Sequence, residues 1–133
     1  MRTLVLALAA AAPLLVSTTF TAAAQPAAHQ PPARCFRSQD WEGWKATPDG
    51  RTLYLRVLMH DFYRVDLAGA CPELNAPDAH LVTHVRGSDE ICAPVDLDLR
   101  VSTGMGFATP CIVRSITPLT AEEAKALPPK LRP

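Results

Sequence analysis

Apolar residues recur at every second position through much of residues 41–116, and this constrains the fold more than any other feature of the chain. Successive side chains of an extended strand point to opposite sides, so a period of two means strands with one buried face. Leu53, Leu55, Val57 and Met59 alternate with Thr52, Tyr54, Arg56 and Leu58. Tyr63, Val65 and Leu67 alternate with Phe62, Arg64 and Asp66. Val95, Leu97, Leu99 and Val101 alternate with Asp96, Asp98 and Arg100 in the cleanest run. Leu81 to Val85 and Cys111 to Ile116 are shorter candidates, and Trp41 to Ala46 supplies a first strand.

Turn residues give the register of the first two runs. Pro48-Asp49-Gly50 lies between them, and Asp-Gly favours a tight hairpin. With Asp49 and Gly50 as the loop, Trp44 faces Leu55 and Ala46 faces Leu53. The next connection is less regular. A loop of residues 60–62 pairs Val57 with Val65 and Leu55 with Leu67, which keeps the apolar rows on one face. Helix signals are confined to short segments. Thr120 and Glu123 form a capping box ahead of Ala124-Lys125-Ala126-Leu127, and Pro128-Pro129 stops it. So short a helix must dock or fray. Residues 71–75 can form one more turn.

The first 24 residues are expected to be removed. Arg2 is followed by an apolar stretch from Leu4 to Val16, and Ala22-Ala23-Ala24 fits the small-x-small requirement of signal peptidase. The stretch is too short to span a bilayer. The domain reading is a signal peptide over residues 1–24 and a disordered Pro/Ala-rich linker over 25–34. A disulfide-stabilised β domain over 35–127 and a flexible tail over 128–133 follow. The expected address is the periplasm or the extracellular medium, with no membrane span in the mature protein.

Cys35, Cys71, Cys92 and Cys111 all follow that leader. An even count in an oxidising compartment reads as two disulfides. The closely spaced pairs of a zinc site and the Cys-x-x-Cys of a redox site are both absent. Four cysteines allow three pairings. Cys35 opens the ordered region and Cys111 lies in its last strand, while Cys71 and Cys92 bracket the one long irregular segment. That layout favours Cys35–Cys111 with Cys71–Cys92.

Chemistry-bearing residues are sparse. His80 and His84, with Asp78 or His60, could hold a metal, but they read more simply as the polar face of a strand. Asp96 and Asp98, with Asp89 and Glu90 upstream, could do acid–base work or bind calcium. Alternate acids are also what a solvent-facing strand face carries. Gly104-Met105-Gly106 lacks the lysine and following helix of a phosphate loop, and is read as a turn. Ser38, Ser88, Ser102 and Ser115 have no local base. Tyr54, Arg56, Leu58 and Arg64 form a candidate binding face, since Tyr and Arg are favoured in contact hot spots. No catalytic, cofactor or metal residue is assigned. A formal net charge of zero gives no electrostatic footprint for nucleic acid.

Several stretches together carry a resemblance: Cys35-Phe36, the run from Arg51 to Val57, Phe62-Tyr63-Arg64-Val65-Asp66-Leu67, Cys71-Pro72-Glu73-Leu74, Ile91-Cys92, and Cys111-Ile112-Val113 leading to Thr117-Pro118-Leu119. The chain resembles a family of small exported bacterial proteins classed only as a domain of unknown function. The resemblance spans about residues 35–119. It implies export and a disulfide framework, and it carries no activity.

The fold expected is one small all-β domain, a five- or six-stranded antiparallel barrel or curled sheet with a short C-terminal helix and two disulfides. An α+β sheet with one packed helix is the alternative. The expected function is that of an exported, non-enzymatic accessory or binding module. Its partner would be a protein or envelope component, and the chain would be monomeric. The competing reading, a small hydrolase or metal-dependent enzyme, needs His60, His80, His84, Asp89, Asp96 and Asp98 to converge.

Overall fold

The computed structural model describes residues 34–85, 87–104 and 106–133. The expected signal peptide lies outside the described residues, as does all but Arg34 of the expected linker. The fold is mostly β. Among the described residues, nine strands form three antiparallel sheets, with one short C-terminal helix and two disulfides.

A four-stranded sheet runs in the order β2 (Trp41–Ala46), β3 (Thr52–Val57), β4 (Asp61–Leu67) and β9 (Val113–Leu119). A three-stranded sheet runs β5 (His80–Val85), β7 (Leu97–Ser102) and β8 (Ala108–Pro110). The two are joined at the corner where β8 leads into β9. There the Cys111 N–H donates to the Leu99 carbonyl at 2.9 Å, and the Ala68 N–H donates to the Ile112 carbonyl at 2.8 Å. The strands therefore make one arc, β2-β3-β4-β9/β8-β7-β5. It is curled but does not close into a barrel, because among the described residues β2 and β5 each pair on one side only. The remaining pair, β1 (Phe36–Arg37) with β6 (Glu90–Ile91), adds a two-residue ribbon.

The core is the set of alternating rows read from sequence. Leu53, Leu55 and Val57, Tyr63, Val65 and Leu67, and Leu97, Leu99 and Val101 are all buried. Phe36 and Ile91 from the ribbon join them, with the Phe36 ring 4.6 Å from that of Tyr63. Trp41 and Trp44 also face inward, although residues three apart cannot share a face in a regular strand. A bulge between Trp41 and Gly43 resets the alternation and lets both pack on the core.

The hairpin register of β2 and β3 is as expected, with Trp44 opposite Leu55 and Ala46 opposite Leu53. The strands end earlier than the Asp49-Gly50 loop requires, at Ala46 and Thr52. The β3–β4 register differs from the expected one. Val57 pairs with Asp61, Leu55 with Tyr63 and Leu53 with Val65. The turn is residues 58–60, so Leu58 and Met59 leave the strand and take positive φ of 45° and 53°. The shift is an even number of residues, which leaves the inward rows unchanged.

Val95 also departs from expectation. It is 77% exposed in a 3-10 turn, Pro94–Asp96, so β7 begins at Leu97. Asp96 closes that turn by accepting from the Cys92 and Ala93 N–H groups at 3.0 and 2.8 Å.

The disulfides correct the expected pairing. They join Cys35 to Cys92 and Cys71 to Cys111. Cys35 directly precedes β1 and Cys92 directly follows β6, so the antiparallel ribbon brings them face to face, with Cα atoms 4.3 Å apart. Likewise β4 pairs with β9, which carries the chain after β4 to the chain before β9.

The helix α1 (Ala121–Ala126) has the expected capping box. Glu123 N–H donates to Thr120 Oγ1 at 3.2 Å, and Thr120 N–H donates to Glu123 Oε2 at 2.7 Å. It docks through Ala124, which is buried. Residues 128–133, expected as a flexible tail, include a 3-10 turn, Pro129–Leu131. Arg132 ties them back by donating to the carbonyls of Leu127 at 2.8 Å and Lys125 at 2.6 Å.

Candidate functional site

The open arc leaves a cleft between its two ends. Trp41, Glu42 and Trp44 of β2 line one side and His80, Leu81 and Thr83 of β5 the other, around a volume of about 350 Å³. Following the antiparallel pairings round the arc, β2 and β5 run in opposite directions. Among the described residues each has a sheet partner on one side only. The two edges are not equivalent. The bulge between Trp41 and Gly43 breaks β2, a device that discourages further pairing. β5 pairs with β7 at all six positions from His80–Ser102 to Val85–Leu97 without a break. It is therefore the more regular of the two edges. Trp41 Nε1 donates to the Gly43 carbonyl at 3.0 Å, whereas the Trp44 indole N–H has no acceptor among the described residues.

The residues singled out as potential catalysts do not gather there. His80 and His84 are exposed along β5, opposite Ser102 and Asp98. Asp98 also pairs with Arg100, 3.4 Å from its Nε. Asp96 closes the Pro94–Asp96 turn. Asp89 lies 4.0 Å from Arg37. Asp78 stands beside Gly104, whose φ of 81° matches the expected turn, as does the 86° of Gly106; Met105 is outside the described residues. Among the described residues, one trio of metal-type side chains meets, Cys35, Glu90 and Cys92. Its two sulfurs are joined to each other and have no thiolate to offer.

His60 stands apart in the β3–β4 turn. It borders a cavity of about 550 Å³ under α1 that Asp61, Tyr63 and Glu123 also reach. The acids there already have partners: Asp61 lies 3.9 Å from Arg34, and Glu123 caps α1. Burial and the nearby Asp61 push the Tyr63 hydroxyl above its ordinary value of 10.0, with Arg34 opposing.

The Tyr/Arg face is partly covered. Tyr54 and Arg64 stand opposite each other on the outer side of the sheet. Arg56 lies 3.3 Å from Glu42 and donates to the Pro133 carbonyl at 3.4 Å. Leu58 is in the turn, not on that face. Sequence reasoning missed the cleft and a second cluster, Arg51, Arg64 and Arg114, which shares a groove with Asp66. The signal for the cleft was available, since two tryptophans three apart around a glycine imply a bulge. The arginine cluster needs the pairing of β4 with β9, which no local pattern gives.

These features define a small, disulfide-tied, mostly-β domain whose curled sheet stays open beside a tryptophan-lined cleft. The chain belongs to DUF6491, a family of unknown function, which it matches over residues 1–133. No curated protein and no solved structure matches it. Among the described residues no helix is long and apolar enough to cross a membrane.

Proposed function

We propose that the chain is exported, loses residues 1–24, and acts in the periplasm or outside the cell as a non-enzymatic binding module. Its partner is a protein that presents an extended segment, which adds as a strand to β5. The observation that carries this reading is the outer edge of the regular β5 strand, which has no second sheet partner among the described residues and faces the cleft with Trp41 and Trp44 opposite. Main-chain bonds to an exposed edge give affinity, and pockets beside it select alternate side chains. The two indoles would form such a pocket wall, being large, rigid and apolar with a polar edge. The dispersal of His60, His80, His84, Asp89, Asp96 and Asp98 favours binding over hydrolysis.

The test is site-specific photocrosslinking in cells. A photoreactive residue at Thr83, on β5 and lining the cleft, is expected to capture a discrete partner, and one at Tyr54, on the outer face, is not. Equal labelling from both positions, or none from Thr83, refutes strand addition. N-terminal sequencing of the recovered product should begin at Gln25. A cytoplasmic chain with an intact leader refutes export separately.

A further inference from the structure

We propose that the groove lined by Arg51, Arg64 and Arg114 binds a phosphoryl group. The groove lies on the outer side of the four-stranded sheet, where Thr52, Asp66 and Ser115 stand side by side on β3, β4 and β9. Its volume is about 250 Å³, ample for an oxyanion.

Asp66 organises it. This carboxylate accepts from Thr52 Oγ1 at 2.9 Å, Arg64 Nε at 2.9 Å and Ser115 Oγ at 3.2 Å. It is therefore well satisfied, and it fixes Arg64 by one nitrogen while leaving both Nη groups without an acceptor among the described residues. Arg114 is held in the same way. Its Nη2 donates to the Ala68 carbonyl at 3.0 Å, which leaves Nη1 and Nε without an acceptor among the described residues. The Arg51 guanidinium has no acceptor among the described residues. The neighbouring acid, Asp49, accepts from Thr47 Oγ1 and from the Arg51 backbone N–H; these bonds, and in lesser part the Arg51 charge, hold its carboxyl below its ordinary value.

Three arginines thus line one groove whose one carboxylate, Asp66, already accepts three hydrogen bonds. A planar fork matches two oxygens of an oxyanion, and several forks around a tetrahedral dianion match its shape and charge better than they match one carboxylate. The shared chemistry is a phosphoryl group with at least two charged oxygens, offered by free phosphate as a dianion and by the phosphodiester of a lipid headgroup as a monoanion. The site is separate from the β5 edge, and its success or failure leaves the strand-addition reading untouched.

The experiment uses the mature chain at low ionic strength, where surface charges are least screened. Inorganic phosphate is titrated by calorimetry, and vesicles of phosphatidylglycerol or of phosphatidylcholine are tested by flotation. R51A/R114A is expected to weaken binding about 100-fold, at roughly tenfold for each guanidinium removed from the anion. R51K/R114K keeps the charge without the planar fork, and should weaken it about tenfold. K125A/K130A, outside the groove, should change it less than about twofold.

Binding of phosphate with that ranking supports the proposal with free phosphate as ligand. Retention on phosphatidylglycerol alone, with the same ranking, supports it with the headgroup as ligand. Absence of both, or an equal weakening in K125A/K130A, overturns it. The R51K/R114K protein keeps the test valid if the double alanine variant does not fold.

Discussion

Gly50 shows how one backbone position fixes the contact between two distant segments. It holds φ at 63°, and a Cβ there would stand 2.6 Å from the Cys71 carbonyl oxygen and 2.9 Å from its carbon. The same approach makes a hydrogen bond, Cys71 N–H to the Gly50 carbonyl at 2.8 Å. The hairpin tip is thereby pressed on the segment that carries the Cys71–Cys111 bridge. A side chain at Gly50 would meet backbone, which cannot swing aside, and would also strain a left-handed residue. Gly50→Ala is expected to cost about 2–4 kcal/mol. Urea denaturation should show a lower midpoint with an unchanged slope. Gly69→Ala, where an added Cβ would meet nothing within 4 Å beyond its chain neighbours among the described residues, should shift it by less than about 0.5 kcal/mol. Equal midpoints for the wild type and Gly50→Ala would contradict this account.

At the level of elements, what was legible was whatever a local pattern encodes. The rows Leu53-Leu55-Val57 and Leu97-Leu99-Val101 announce their buried face, and Thr120 and Glu123 announce the start of α1. The β3–β4 turn is not legible locally, because Leu58 and Met59 look like strand residues and behave as turn residues. They are 55% and 69% exposed, and bulky side chains rarely sit at positive φ. Two hydrogen bonds hold them there: Leu58 N–H to the Asp40 carbonyl and Met59 N–H to Glu42 Oε2, both at 3.1 Å. Tertiary structure thus overrides local preference, and no reading of residues 52–67 by themselves could supply Asp40 or Glu42. The turn should improve when its residues suit its conformation. Replacing Leu58 by Asn and Met59 by Gly is expected to add about 1–2 kcal/mol to stability. A thermal melt that falls after this exchange would show that Leu58 and Met59 carry packing that their exposure does not suggest.

For the whole molecule, the decisive information lies in strands too short to have a period. β1 and β6 have two residues each, yet their pairing decides which cysteines meet. Cys35–Cys92 ties the β1–β6 ribbon, and Cys71–Cys111 ties the loop after β4 to the corner between β8 and β9. The bridges span 57 and 40 residues and lie in different surroundings. In the chain-entropy account each contributes about 4 kcal/mol. Cys71 and Cys111 are each 4% exposed, whereas Cys35 is exposed. Thiol attack needs access to sulfur, so a mild reductant should open Cys35–Cys92 first, and Cys71–Cys111 should persist until the core opens. Trypsin would place the four cysteines on separate peptides, residues 35–37, 65–86, 87–100 and 101–114. Without reduction, 35–37 should be recovered joined to 87–100, and 65–86 joined to 101–114. A link between 65–86 and 87–100 would mean that Cys71 meets Cys92. The ribbon could not then seat Phe36 against Tyr63 as it does here, and the arc would lose what holds its corner.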